Sequence, residues 1–322
     1  MSDVGREDAA EFRAGRLTPA GYFVPVHRVE SAWVEHAPFA AAVIDLARPR
    51  LVVELGTHRG YSYFAFCEAV KRLGLPTRAV AVDSWEGDEH AGFYDDSVYR
   101  NVVAVNTSDY AAFSELRRGY FDDVRPSVAD GSVDLLHIDG RHRYEDVRHD
   151  FETWLPAMSE RGVMLFHDTN EYRTGFGVHR FWDEVSERFP SFQFLHAHGL
   201  GVLGVGAELP SGIVDFFAEA AAAPDAVRRE FERLGVDVRR RMDLERLPQK
   251  LEVVEGRLAA ETTARAAAER AGERAVKAAR EQRRRATRLE GALRDLHEST
   301  SWRVTAPLRM IGAAKRRRRG GS

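Results

Sequence analysis

Between Val133 and Thr169 the chain reads VDLLHIDGRHRYEDVRHDFETWLPAMSERGVMLFHDT, and few folds accommodate such a stretch. Two apolar runs, Val133–Ile138 and Val163–Phe166, suit strands buried on both faces. Each leads into an acidic residue, Asp139 and Asp168. The segment between them, from Tyr144 to Pro156, has helical spacing, so the unit reads as strand, helix and parallel strand. In an open α/β sheet, ligands gather just beyond the carboxyl ends of the strands. The spacing therefore predicts two carboxylates at one binding edge, where they can share a hard divalent cation. His142, three residues after Asp139, is placed to take a proton from a substrate held there. The same residues would also suit a turn at Asp139-Gly140 and a helix cap at His142.

The alternation continues on both sides. Val29 to Ala47 reads as one or two helices ahead of the sheet. LVVEL (Leu51–Leu55) is a strand, GTHRG a tight turn, and Tyr61–Leu73 a helix ended by Gly74 and Pro76. AVAVD (Ala79–Asp83) is a second strand. Ser84 to Asn106 has no clean period and is long enough for an active-site lid or a short helix. Asp109–Arg117 reads as helical, and Gly119–Phe121 as a short strand or its end. Val178–Phe189 is a further helix, followed by a hairpin of Phe192–His196 and Leu200–Val205. Repeated strand–helix alternation predicts an α/β fold, a doubly wound and mostly parallel sheet with an antiparallel strand from the hairpin.

Beyond Gly206 the strand signal stops. Ile213–Ala223 and Ala226–Leu234 look helical, with Pro224 between them. From Leu244 a heptad register runs without a slip through Leu247, Leu251, Val254 and Leu258. It continues through Ala268, Ala275, Ala279, Ala286, Leu289, Leu293 and Leu296, and Glu261, Arg265, Gly272 and Gln282 are its misfits. Sustained apolar heptads with charged flanks predict a coiled coil; a solvated single helix with ion pairs is the alternative.

Charge and cysteine content narrow the function. The formal net charge of −3 excludes nucleic-acid binding by overall charge. A lone cysteine, Cys67, excludes an internal disulfide and argues against a cysteine zinc site, so a reducing cytoplasm is the expected setting. The first sixteen residues contain acids and no apolar core, unlike a signal peptide. From Ser299 to Ser322, by contrast, there are seven basic residues and no acid. With Trp302, Val304, Leu308, Met310 and Ile311 beside them, these suit an anionic membrane surface or an acidic partner. A basic tail that only aids solubility is the alternative.

Two motifs upstream point to a nucleoside ligand. Glu54-Leu55-Gly56-Thr57-His58-Arg59-Gly60 follows a strand and precedes a helix. Its glycines allow a sharp turn and close approach to bare backbone. The spacing is G-x-x-x-G rather than the G-x-G-x-x-G of dinucleotide binders. Glu54 would suit a cationic group. Asp83, at the next strand end, could accept both hydroxyls of a ribose or cap a following helix.

In order, ELGTHRGYS, AVDSWEGD, LLHIDGRHRYEDV and LFHDT resemble class I S-adenosylmethionine-dependent methyltransferases. They are most similar to metal-dependent bacterial O-methyltransferases that act on sugars of macrolides and polysaccharides. The resemblance covers roughly Leu51 to Gly206 and implies a seven-stranded Rossmann-like sheet with the last hairpin reversed. It places Glu54, Gly56 and Gly60 along the methionine part of the cofactor and Asp83 on its ribose. Ser84, Trp85, Gly119 and Tyr120 fall near the adenine or the substrate. It makes His142 the general base and Asp139 and Asp168 ligands to Mg²⁺ or Mn²⁺. The family often has two acidic or amide residues in tandem at the second ligand position. Here His167 precedes Asp168, so His167, or Glu86 or Asp88 from the loop after Asp83, is left to complete the set. Phe181 and Trp182 read as core rather than as a sugar-stacking platform.

The domains expected are a helical lead-in (1–50), the methyltransferase domain (51–207), a helical connector (208–243), a coiled coil (244–298) and a basic amphipathic tail (299–322). The expected activity is O-methylation of a sugar hydroxyl on a polysaccharide, lipid-linked glycan or glycosylated metabolite. The alternatives are methylation of a phenolic small molecule, or a scaffold at a membrane-associated glycan assembly. The expected partners are a glycan acceptor, a second copy through the coiled coil, and an anionic membrane or glycan-assembly protein at the inner face of the membrane.

Overall fold

The computed structural model describes residues 24–88 and 92–309 (of residue 88, the backbone only). What the sequence predicts for residues 1–23, for the Asp88 side chain and for residues 310–322 lies outside the described residues. The chain forms two compact units, Met1–Glu245 and Arg246–Ser322.

In the first unit, the main strands are β1 (Leu51–Leu55), β2 (Arg78–Asp83), β3 (Ser114–Arg118), β4 (Val133–Ile138), β5 (Met158–His167), β6 (Ser191–Phe194) and β7 (Leu200–Gly204). They form one seven-stranded sheet in the order β3-β2-β1-β4-β5-β7-β6. β1 is parallel to β2 and β4, β2 to β3, and β4 to β5, whereas β7 is antiparallel to both neighbours. This is the Rossmann-like methyltransferase fold, with the reversed hairpin strand that the sequence predicted.

The central strands β1, β2 and β4 are buried almost throughout because both faces of the sheet are covered. On one face pack helices α1 (Ala37–Ala47) and α2 (Tyr61–Leu73), with Phe39 wedged among Phe194, Phe216 and Phe231. Helices α4 (Tyr144–Trp154) and α5 (Val178–Ser186) contribute Phe151, Trp154, Phe181 and Trp182 to the cluster on the other face. Phe181 and Trp182 are thus core residues, as read. Truncating a fully buried phenylalanine such as Phe39 costs about 3–5 kcal/mol.

Within the seven-stranded sheet, β3 is absent from the sequence reading. The Asp109–Arg117 segment does not form the expected helix. Helix α3 (Asp96–Val105) lies earlier, in the stretch that had no clean period, and a π turn over Asn106–Tyr110 follows it. The chain then extends into β3 at the sheet edge, where only Ser114 is fully buried.

The lead-in and the connector belong to the first unit. Ala32–His36 forms a 3₁₀ turn capped by Ser31, whose Oγ accepts from Trp33 N. Helix α6 (Ser211–Ala222) precedes α7, a continuous helix from Pro224 to Glu298. Pro224 starts it, where a missing amide hydrogen costs nothing. Val227, Leu234, Val238 and Met242 form a buried stripe at helical spacing. Gly235 permits this docking: a Cβ there would come within 2.1 Å of the Glu35 carbonyl oxygen.

In the second unit, α7 exposes its apolar positions, among them Leu251 (51%), Leu258 (63%), Leu289 (58%) and Leu293 (54%). The helix contains Pro248. After Ser299, which caps a short helix over Thr300–Val304, the Arg309 guanidinium lies over the Trp302 ring at 3.6 Å. No described helix is long and apolar enough to cross a membrane.

Candidate active site

A cleft of about 940 Å³ opens at the carboxyl ends of β1, β2, β4 and β5, wholly within the first unit. Three residues on its borders carry side chains yet adopt left-handed backbone: His58 (φ 48°), Trp85 (φ 53°) and Asp168 (φ 59°). Such conformations cost on the order of 1–3 kcal/mol each and cluster where geometry serves a ligand.

One wall is the loop after β1. Gly56, at φ 88°, crosses so close to β4 that a Cβ would lie 2.0 Å from the Asp139 carbonyl oxygen. Asp83 organises this loop. Its Oδ2 accepts from the backbone amides of Thr57 (2.8 Å) and His58 (2.7 Å), and its Oδ1 from that of Trp85 (2.6 Å). Burial raises its pKa, and these three amides work against the rise. Asp83 therefore shapes the wall with both of its oxygens, and it also lines the cleft. The exposed Glu86 is the carboxylate further along the same wall, its Oε2 accepting from the Tyr120 hydroxyl at 3.1 Å. Ser84, Gly119 and Tyr120 line the cleft as expected.

Glu54, Gly60 and Trp85 do not line it. Glu54 is fully buried in β1, where His137 Nδ1 donates to its Oε2 at 2.8 Å. Trp33 Nε1 donates to His137 Nε2 at 3.1 Å, which makes Nδ1 the protonated ring nitrogen. Trp33 lines the cleft, so this chain connects its floor to β1. Burial pushes the Glu54 carboxyl up, and its Oε1 has no hydrogen-bond partner among the described residues. Gly60 starts α2 with its Cα against Phe64, and Trp85 is buried, its Nε1 donating to the His58 carbonyl.

The ends of β4 and β5, beside this loop, hold the acids. Asp139, His142 and Asp168 each present a ligand atom, all within 4.8 Å of one another. His142 Nδ1 lies 3.2 Å from Asp168 Oδ2, and its ring stacks on Phe176 with centroids 4.8 Å apart and planes 4° from parallel.

His167 lines the cleft beside this set. Its Nδ1 lies 3.3 Å from Asp139 Oδ1 and 3.4 Å from Asp168 Oδ1, and the ring packs at 5.7 Å from His36. Burial alone would lower its pKa, but the two carboxylates hold it up at about 9. Burial likewise opposes ionisation of Asp139, and His167, His137 and His142 bring that carboxyl well below its ordinary range. His167 thus sits against both acids at the cleft, where their charge favours its protonated form.

Sequence reasoning missed Trp33, Arg239 and Phe176. Arg239, from α7, lines the cleft while its Nε donates to Glu35 Oε1 at 2.6 Å. No local pattern marks a residue that reaches the site from a distant helix.

The cleft thus lies at the carboxyl edge of the sheet, walled by a bare-backbone loop and by acids. Residues 53–169 match the family model described as a methyltransferase domain. The protein y4gI of Sinorhizobium fredii, described as uncharacterized, is 50% identical over 183 residues, which are 57% of this chain and 20% of that protein. The chain therefore spans about a fifth of that relative's length. Among solved structures, the O-methyltransferase TomG of Streptomyces achromogenes, involved in tomaymycin synthesis and solved with SAM, is 17% identical. Its TM-score is 0.41, and the match covers 55% of this chain and 81% of that one. An O-methyltransferase of Bacillus cereus, solved with SAH, is 17% identical at a TM-score of 0.40, over 56% and 84% of the two chains.

Proposed function

We propose that the protein transfers the methyl group of S-adenosylmethionine to a hydroxyl oxygen, and that a divalent cation, Mg²⁺ or Mn²⁺, assists at Asp139 and Asp168. One observation carries this reading: in a single cleft, the loop from Gly56 to His58 lies beside a set of acids with a histidine held against one of them.

The residues fit both groups. The unpartnered Oε1 of buried Glu54, in the strand leading to Gly56, suits a site built for a cationic amino acid moiety nearby. The two carboxylates are hard oxygen donors that suit Mg²⁺ or Mn²⁺ rather than a thiolate-bound metal. When bound, the cation would supply Lewis acidity that favours the ionised acceptor oxygen.

The chain's own residues do the rest. The Gly56–His58 wall, fixed by Asp83, positions the donor for in-line attack. Asp168 orients His142 through Nδ1, the arrangement in which an imidazole works as a base through Nε2. His142 accepts the acceptor's proton as the O–CH₃ bond forms and the S–CH₃ bond breaks. Phe176 fixes the ring plane. His167 lies against both acids and favours the charged form of Asp139.

A sugar hydroxyl with an adjacent oxygen is the acceptor proposed; a catechol presents the same paired oxygens. The test is methyl transfer from methyl-labelled S-adenosylmethionine to a panel of nucleotide sugars, glycan oligosaccharides and catechols, with and without Mg²⁺. Transfer to sugars supports the full reading, and transfer only to catechols reassigns the acceptor. Absence of S-adenosylmethionine binding by titration calorimetry at millimolar ligand would remove the enzyme reading and favour a scaffold.

A further inference from the structure

We infer that the second unit pairs with a second copy of itself as a parallel, in-register two-stranded coiled coil. The inference does not depend on the proposed activity.

The surface to be covered is a single seam. Leu247, Leu251, Val254, Leu258, Leu289, Leu293 and Leu296 are between 46% and 63% exposed and recur at alternating spacings of three and four residues. Helix α7 carries them in one frame, with the alanines between. Such a seam is the face that a coiled-coil partner covers.

The flanking charges choose the partner and its direction. With Leu251, Leu258 and Leu293 at position a, the g positions include Lys250, Arg257 and Arg285, and the e positions include Glu255, Glu269, Arg283 and Glu290. In a parallel in-register dimer, g faces e of the next heptad on the partner. Lys250 then meets Glu255 and Arg285 meets Glu290, each twice by symmetry. No like-charged g–e pair arises among the described residues. An antiparallel pair in full overlap would instead set Arg257 against Arg285, and Glu269 against its own copy. It would retain only Glu255 against Arg283.

The seam's polar break agrees. Glu261 (d) and Arg265 (a) occupy adjacent layers. In the parallel dimer each faces its own copy within its layer, and the like charges are offset because Glu261 of one helix pairs with Arg265 of the other between the two adjacent layers, twice by symmetry. The antiparallel overlap places each against an alanine, Ala279 and Ala275. An unpaired charge in a seam is costly, and polar seam residues set register and direction.

The test uses the full chain. Light scattering after size exclusion should give twice the 36.2 kDa chain mass, and L251E/L293E should give one chain mass. L251C and L289C, prepared separately and mixed under oxidation, should each cross-link only to their own kind, read by peptide mass spectrometry. R285E should weaken dimerisation on the order of ten-fold, and R285E/E290R should restore it. A monomer at tens of micromolar, a higher oligomer, or disulfides joining L251C to L289C would each overturn the inference. Cys67 is buried, so the parent chain serves as the cross-linking control.

Discussion

His142 Nδ1 stands 3.2 Å from Asp168 Oδ2, so the end of β5 orients a ring carried by the loop after β4. An imidazole held this way has one defined task, to exchange a proton at its other nitrogen. His142→Ala should lower kcat for methyl transfer by about 10²–10⁴-fold, with S-adenosylmethionine affinity within about two-fold of the parent by calorimetry. Asp168→Asn should lower kcat as well. An unchanged kcat in His142→Ala would take the residue out of the mechanism.

Asp83 accepts three backbone amides with two oxygens. Asparagine has one acceptor oxygen and cannot serve both sides. Asp83→Asn should therefore destabilise the fold by about 2–3 kcal/mol, the cost of leaving buried donors unmatched. Because the loop itself loosens, it should also weaken S-adenosylmethionine binding at least ten-fold. Thermal melts and calorimetry check both. A variant with parent stability and weakened binding would make Asp83 a direct ligand contact.

Parts of this site are written in the sequence and parts are not. β1, β2, β4 and β5 were legible because burial on both faces leaves apolar runs, and the acids at their ends follow directly. β3 was not, because an edge strand with the sequence SELRR buries only Ser114 and carries the charges of a helix surface. Strict strand alternation would send His167 and Asp168 to opposite faces, yet the left-handed backbone at Asp168 leaves both lining the cleft, with His167 Nδ1 3.4 Å from Asp168 Oδ1. Contacts set by tertiary docking, such as Arg239 with Glu35, leave no local trace.

Asp139 and Asp168 supply the oxygen donors of the set within 4.8 Å. If a divalent cation binds there, exhaustive chelation should lower methyl transfer at least ten-fold, and Mg²⁺ or Mn²⁺ should restore it. Asp139→Asn should weaken Mn²⁺ binding, followed by the electron paramagnetic resonance of the free ion, and should abolish rescue. His167→Gln should retain binding, since His167 is outside the set. Full activity in metal-free enzyme would reduce Asp139 and Asp168 to positioning roles for His142.

Far from the cleft, Asp134 offers a pH-dependent test of the fold itself. Its Oδ2 accepts from Arg50 N (2.7 Å) and Nε (2.8 Å), and its Oδ1 from Arg50 Nη2 (2.8 Å) and Ser159 Oγ (2.5 Å). Burial resists the charge, but these donors bring its pKa down to about 2, against about 3.9 in an unfolded chain. A depressed carboxyl pKa stabilises the fold above the unfolded value, and that stability is lost as pH falls through the folded value. The Arg50 side chain is 68% exposed, so solvent screening reduces the contribution to about 1–2 kcal/mol. Asp134→Asn should therefore flatten the fall in stability between about pH 4 and pH 2, relative to the parent, in urea titrations across that range. It should also be less stable at pH 7, because asparagine cannot accept both arms of the Arg50 fork. A parallel pH profile for parent and variant would mean that the pair adds no linked stability.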